Sequence, residues 1–502
     1  MSVAVYGEFQ KDKSGLFFGL TGPKLAGLFV ALMPCLLAVS RSDWGAVGWT
    51  LVLFAAAALV IAVPIRGRSS INWLATFVAH SAGSASKLTE FRSKAMEGEN
   101  IEEADLPGLL KQVKVHDGPP EGPQQRRVGI IQNHANLTWA ATAAITFPGI
   151  KLADVAERAL LADGLRDLLN AAARTEMVEE ILFIVRSVPD DGEERHQYLL
   201  EHLSAAAPAQ ARHVTEGLAQ IVSQASVQTE AFCTVTVSEA ALKKNAKHFG
   251  KGMAGRMSAM VMLLAEMETK LRSGLQMDTV RWLTSPELAV AVRTGFAPGD
   301  RAQLVAAGVA KSKDPKVNAD VPWPMAGPSG AHSAARHYEH DAWWSSSDVI
   351  RLPGKGAVMG ALAPVLMPQE AGERRSLLVG YPIMSFDKAQ KLTRKKEATA
   401  DMAEAINEKM GRKMRASERK QVGRTRRLDE KLDSGNAMVR PYALATVTVP
   451  RTMSIAEFSQ RLHASIRNSG FAPLPVDLSQ DHAFFASVVP LGLSLVNTKK
   501  LN

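Results

Sequence analysis

The sequence has only two cysteines in 502 residues, Cys35 and Cys233. They lie nearly two hundred residues apart, so the chain carries neither a disulfide framework nor a cysteine-rich zinc site. This usage suits a reducing compartment for most of the chain. Aromatic residues are also sparse, at 6% of the sequence.

The motifs of common enzyme classes are missing from the sequence as well. A phosphate-binding loop needs Gly-x4-Gly-Lys followed by Ser or Thr, because backbone amides, the ammonium and the hydroxyl together hold the phosphates. Gly250-Lys251 and Gly354-Lys355 lack both the first glycine and the hydroxyl. Gly-x-Ser-x-Gly, His-Glu-x-x-His and Cys-x-x-Cys are absent too. We therefore expect a protein that is not an enzyme, with no catalytic residue, cofactor or metal.

The chain is long and basic. Its length predicts two or three folding units, each able to bury a core. The net charge of +9 and the pI near 9.4 indicate an anionic neighbour. Nucleic acid, a negatively charged lipid leaflet and an acidic protein all satisfy that requirement.

Two uncharged apolar runs near the N-terminus, residues 25–40 and 44–65, predict a hairpin of transmembrane helices. The second run has about 22 residues, which at roughly 1.5 Å per residue spans a hydrocarbon core of about 30 Å. A cleavable signal peptide is the competing interpretation. It is disfavoured because the first run starts late, contains Pro34 and is followed at once by the second.

Basic residues flank the outer ends of the two runs, whereas Arg41 alone lies in the turn. This bias predicts a multi-pass protein of the cell membrane, with both termini and the body cytoplasmic. The bilayer is thus an expected partner. The expected interface anchors are Lys24, Trp44, Trp49, Arg66 and Arg68.

The rest of the chain predicts an α+β fold, in the style of a ferredoxin-like unit with helices gathered on one face of antiparallel strands. The expected organisation is an anchor at 1–70, a juxtamembrane amphipathic segment at 71–103, a first α+β unit at 104–309, a Pro/Gly/Ser-rich linker at 310–335 and a second α+β unit at 336–502. Among the predicted strands are 137–147, 180–188, 229–237, 375–384, 442–449 and 482–489. Among the predicted helices are 151–173, 256–273, 285–296 and 454–468.

A long charged arm, residues 386–433, interrupts the second unit. Residues 385–435 hold 15 Lys/Arg and 9 Asp/Glu. A solvated helical arm is the simpler interpretation, and a surface for lipid, a partner protein or nucleic acid is the other. The candidate anion-binding residues are Lys388, Arg394, Lys395, Lys396, Arg412, Lys413, Arg415, Arg419, Lys420, Arg424, Arg426 and Arg427.

The stretch His332 to Gly354 concentrates histidines, acids and two tryptophans. The spacing of His332, His337 and His340 could bring imidazoles together, but the flanking glycine, serine and proline residues predict irregular chain. We expect a surface loop leading into a strand, with no metal site. We also expect one ring of Trp343 and Trp344 to pack inward and the other to lie at a surface.

The order of these features resembles known proteins. The N-terminal hairpin resembles the PrgI family, small membrane subunits of conjugative type IV secretion machines. The following region is similar to the non-ATPase N-terminal domain of the conjugation traffic ATPase. The similarity rests on loose patterns: the strand 180–188, the segment 283–298, the strand 343–353, the segment 375–391 and the closing run 484–493.

The resemblance lacks one part, because no nucleotide-binding domain follows this region. The chain therefore looks like actinobacterial integral membrane proteins that leave the motor to a separate polypeptide. The resemblance implies a non-enzymatic structural subunit of a translocation complex. Its implied partners are an ATPase and other secretion subunits, and a homo-oligomer is compatible with this role. Two alternatives stay open: a core subunit of an ESX-type secretion channel, and a membrane-tethered nucleic-acid-binding protein using Lys388 to Lys431.

Overall fold

The computed structural model describes residues 5–6, 22–62, 64–65, 68–86, 89–147, 149, 154–189, 198–199, 202, 204, 206–225, 227–314, 316–352, 357–370, 372–394, 423 and 430–495. The helices are α1 (Gly22–Ser40), α2 (Trp44–Ala62), α3 (Ser70–Ala85), α4 (Val155–Arg174), α5 (Ala209–Ala225), α6 (Glu239–Asn245), α7 (Gly252–Ser273), α8 (Ser285–Phe296), α9 (Arg301–Lys313), α10 (Ile455–Asn468) and α11 (Gln480–Val488). Residues 386–394 are helical as well.

The strands are β1 (Val5–Tyr6), β2 (Pro64–Ile65), β3 (Arg68–Ser69), β4 (Glu90–Arg92), β5 (Val113–Glu121), β6 (Arg126–Asn133), β7 (Thr138–Thr146), β8 (Val178–Pro189), β9 (Val227–Ser238), β10 (Thr279–Trp282), β11 (Gly330–Ser333), β12 (Tyr338–His340), β13 (Trp343–Arg351), β14 (Ala357–Val358), β15 (Arg374–Pro382), β16 (Tyr442–Pro450) and β17 (Ala472–Pro475).

One large antiparallel sheet organises the described chain, and it confirms the predicted α+β class. Its strand order is β4-β11-β12-β13-β16-β15-β8-β9-β7-β6-β5, with β10 added beside β7 and β17 beside β13. The centre of the sheet is the pair β8 and β15, joined from Glu180↔Pro382 to Ser187↔Arg375. Alternate residues of each strand face opposite sides, so the sheet has two buried faces.

Helices cover both faces of the sheet, which corrects the expectation of helices on one face only. On the first face, α4 and α7 cover β7, β8 and β9, and α10 covers β13, β15 and β16. On the second face lie α8, α11 and the segment 489–495. Trp139 is fully buried on the first face, and Phe296, Phe484 and Phe485 are fully buried on the second.

The expected membrane hairpin is wrong. Within the described residues, no helix is both long enough and apolar enough to cross a membrane. Helices α1 and α2 contain 19 residues each, so the second is shorter than the run of about 22 residues that the sequence predicted. Helix α2 ends at Ala62, and Pro64, which the sequence placed in the second span, begins β2 instead. The predicted transmembrane fold and the multi-pass location in the cell membrane are corrected accordingly.

The closing apolar run was predicted as a strand and is a helix. Residues 480–488 form α11, whose side chains Phe484, Phe485 and Val488 are buried on the second face. Residues 483–488 are all buried, so this part of the run shows neither a strand nor a helix period.

Candidate interaction surfaces and buried polar sites

Helices α1 and α2 pack against each other and leave their outer sides apolar. Cys35 and Ala38 are the buried positions of α1, and α2 also contacts α3. A surface helix normally carries a polar outer face, so an outer face of this kind indicates a contact with another molecule. The exposed large apolar residues are Phe29, Val30, Met33, Leu36, Leu37 and Val39 on α1 and Trp44, Trp49, Leu51, Val52 and Leu53 on α2.

The predicted interface anchors that the structure describes lie on three different elements. Trp44 and Trp49 are exposed on α2, at 81% and 75%. Lys24 lies in the first turn of α1 and Arg68 in β3. Arg66 falls outside the described residues.

The basic arm is described only at residues 386–394, 423 and 430–433. Lys388 and Arg394 lie on the helical residues 386–394 and are exposed. The other candidates, Lys395, Lys396, Arg412, Lys413, Arg415, Arg419, Lys420, Arg424, Arg426 and Arg427, lie outside the described residues. That these residues form an anion-binding surface stays a prediction.

The histidine-rich stretch is a β-hairpin, which corrects the expected irregular loop. His332 is the register partner of Glu339 in β12, and His337 contacts the same Glu339 at 3.1 Å. His340 points to the opposite, second face and is fully buried. The pleat thus separates the third imidazole from the first two. The described residues contain no cluster of three or more metal-ligating side chains.

The paired tryptophans also lie on opposite faces of β13, and both are partly exposed. Trp344 approaches His337, with ring centroids 5.6 Å apart. Trp343 lines a shallow cavity of about 630 Å³ together with Arg293, Asp300, Asp341 and Arg451.

The charges of this cavity are largely engaged with one another. Arg293 lies 2.7 Å from Asp300 and 3.4 Å from Asp341, and it donates to the carbonyl of Gly327 at 2.7 Å. Asp341 also accepts hydrogen bonds from the Ser329 amide and hydroxyl. These contacts hold the hairpin against α8, and Trp343 lies in the wall of the cavity.

A buried polar network joins α8 to the second face of the sheet. Arg186 lies 2.7 Å from Glu230 and donates to the carbonyls of Ala291 and Val488. Burial alone would raise the pKa of Glu230, but Arg186, Arg374 and Arg301 lower that pKa to about 2. The carboxylate is therefore charged at every physiological pH. Its contacts with the arginines stabilise the packing of α8 against the sheet.

Two further carboxyl groups are buried with raised pKa values. Burial raises the pKa of Glu180 to about 7, although hydrogen bonds with Ser494 and Tyr442 oppose the rise. Burial also raises the pKa of Asp348 on the first face. Asp348 lies 2.9 Å from His463 of α10, and the contact opposes the rise.

Sequence reasoning did not find these buried groups. A usable signal was present, because Glu180 and Arg186 interrupt an otherwise apolar strand, and such side chains are rarely buried without partners. The partners themselves come from distant positions, such as Ser494 for Glu180, and strand periodicity does not show them.

No protein-family model matches this chain, and a comparison with curated proteins found no match.

Proposed function

We propose that this chain is a non-enzymatic structural subunit of a conjugative type IV secretion-like translocation complex and that it docks a separate ATPase. Support comes first from the resemblance of the body to the non-ATPase region of the conjugation ATPase. The exposed apolar sides of α1 and α2 carry the proposal further. A stable monomer rarely exposes a contiguous apolar surface of this extent, whereas subunit interfaces use such surfaces.

The partner that fits these helices is protein with an apolar face of its own. No charged residue lies between Lys24 and Arg41 in α1 or between Trp44 and Ala62 in α2. Ion pairs therefore contribute little to this surface. Side chains of the size of Phe29, Leu36 and Trp49 supply the anchors that commonly dominate an interface.

The experiment is affinity purification of the full chain from its own host after cross-linking. We expect a conjugation-type ATPase among the recovered proteins. Leu36→Asp combined with Leu53→Asp should reduce its recovery at least tenfold, because each change places a charge within the apolar surface. Met262→Asp is the matched control, since Met262 is a single exposed apolar side chain on α7 at 61%.

The outcomes separate the alternatives. Recovery of an ESX-type core complex instead would assign the chain to that second class of secretion machine. Absence of any secretion subunit, or equal recovery by the double variant and the control, would refute the proposal.

A further inference from the structure

The segment that links β9 to α7 carries a dense positive patch. Helix α6 and the turn after it expose Lys243, Lys244, Lys247, His248 and Lys251. We call these five residues, together with Phe249, the α6–α7 basic patch. The sequence has no acidic residue between Glu239 and Glu266, so the patch has no acidic side chain within its own segment.

Packing fixes which side of this segment faces outward. Leu242 and Ala246 are buried, and on a helix the residues adjacent to these positions point away from the core. Lys243 and Lys244 lie on the last turn of α6 and Lys247 on the turn that follows, and all three are exposed, so like charges lie close in the chain. Such repulsion destabilises the free protein and is relieved by a polyanion.

The turn after α6 is held in place by backbone contact. Gly250 has a φ of +130°. A Cβ on Gly255 would lie 2.4 Å from the Gly250 carbonyl oxygen, so only glycine permits this approach of the turn to α7. The contact fixes the backbone between Phe249 and Lys251, the residues on either side of Gly250.

The acidic residue at the start of the segment is already paired. Glu239, which begins α6, lies 3.2 Å from Arg256. The Arg256 guanidinium in turn lies 5.9 Å from the centroid of the Trp139 ring. Within the part of the chain that the structure describes, no carboxylate forms an ion pair with the four lysines of the patch.

Phe249 distinguishes this patch from a merely solvated basic face. Phe249 is 42% exposed, and in the sequence it lies between Lys247 and Lys251. A phenyl ring within a basic surface offers a platform on which a nucleobase stacks, while the ammonium groups contact phosphates. Lysine contributes charge without the forked geometry of arginine, which predicts contacts to the backbone without recognition of particular bases.

We propose that the α6–α7 basic patch binds single-stranded nucleic acid through backbone phosphates and one stacked base. The inference is independent of the proposed docking function, since it rests on residues far in sequence from α1 and α2. Four lysine contacts predict a slope of roughly −3 for the logarithm of affinity against the logarithm of salt concentration.

The test is fluorescence anisotropy of the full chain with a labelled oligothymidine of 20 nucleotides, over a series of salt concentrations. The charge variant is Lys244→Ala, Lys247→Ala and Lys251→Ala combined. The control removes the same charge from exposed lysines outside the patch and outside the basic arm: Lys94→Ala, Lys111→Ala and Lys316→Ala. We expect the charge variant to lose affinity by more than about tenfold and to flatten the salt slope by about 2.

Phe249→Ala tests the stacked base. It should weaken binding of the single strand by roughly fivefold or more and leave duplex binding unchanged. Equal losses in the charge variant and its control would refute the patch, because binding would then follow net charge alone. Salt-insensitive binding, or equal affinity for polyglutamate of the same charge, would overturn nucleic acid as the ligand.

Discussion

The Nε2 atom of His340, in β12, lies 2.8 Å from the Ser345 hydroxyl oxygen in the neighbouring strand β13. The Nδ1 atom lies 2.6 Å from the carbonyl oxygen of Phe296. Burial favours the neutral imidazole. A carbonyl only accepts, so in this neutral form Nδ1 carries the proton and Nε2 accepts from Ser345. Thr448, 2.7 Å from Ser345, then donates to the same hydroxyl oxygen.

Acid should therefore destabilise the fold through His340. Burial lowers the pKa of His340 to about 3, below the value of about 6.5 in an unfolded chain. The unfolded state binds the proton first, so the stability contributed by His340 is lost as pH falls from 6.5 towards 3, at about 1.4 kcal/mol per pH unit. Urea unfolding of the wild type and His340→Gln across this range measures the effect.

The variant should be less stable at pH 7 and should approach the wild type as pH falls. A difference that stays constant with pH would show that His340 is not the buried neutral group described above.

Glu180 should produce the opposite pH dependence. Its pKa of about 7 exceeds the unfolded value of about 4.3. The folded state holds the proton longer, so stability falls as pH rises from about 4.3 to 7 and then levels off. We expect Glu180→Gln to be more stable than the wild type at pH 8 by about 3 kcal/mol, and equally stable near pH 4.

The same carboxyl lies beside the closing segment of the chain. Ser494 and Tyr442 bond to it, and the Leu495 amide donates to the Tyr442 hydroxyl at 3.4 Å. Hydrogen exchange of residues 489–495 at pH 8 should therefore slow in Glu180→Gln. Glu179→Gln on the same strand is the control, and an identical change in both variants would contradict the role of Glu180.

Much of the fold follows from local pattern. The strand predicted at 180–188 is β8, and the helix predicted at 285–296 is α8, with a capping box formed by Thr284 and Glu287. The apolar residues of these elements recur with the period of a strand or of a helix, and the start of α8 carries a capping box.

Other elements lacked such a pattern. The edge strand β5 contains Gly118, Pro119 and Pro120, which are common breakers inside a sheet and acceptable only at an edge. The hairpin β11–β12 follows a segment rich in proline and glycine. Its pairing with β4 depends on residues more than two hundred positions away, so no local window predicts it.

Gly164 should be irreplaceable where α4 crosses the end of α7. A Cβ at this position would lie 1.9 Å from the carbonyl oxygen of Gly274. The Cβ is fixed to the backbone of α4 and the oxygen is part of the backbone after α7, so neither can rotate away. We expect Gly164→Ala to lower the free energy of unfolding by about 1–3 kcal/mol or more. Denaturant unfolding at pH 7 measures the loss.

The control for this change is Gly217→Ala in α5. No atom lies within 4 Å of the position that its Cβ would occupy, so the change should stabilise the helix by about 0.5–1 kcal/mol. Similar effects of the two substitutions would contradict the close crossing.

Removing one partner of the buried ion pair between Arg375 and Glu373 should destabilise the fold strongly. Replacing both partners with apolar side chains should destabilise it much less. Both side chains have no exposed surface, and Arg375 Nε lies 2.6 Å from the Glu373 carboxylate. Arg375 also donates to the Ser465 hydroxyl of α10 at 2.8 Å. Arg375→Met leaves an uncompensated buried carboxylate, so we expect a loss of about 3–5 kcal/mol in urea unfolding.

Arg375→Met with Glu373→Met removes both charges and should recover most of that loss, since apolar side chains of similar volume satisfy a buried site. The exposed pair of Arg166 with Asp163, 2.8 Å apart, is the matched control. Arg166→Met should change stability by less than about 1 kcal/mol. A single Arg375→Met change that costs no more than this control would show that solvent reaches the pair.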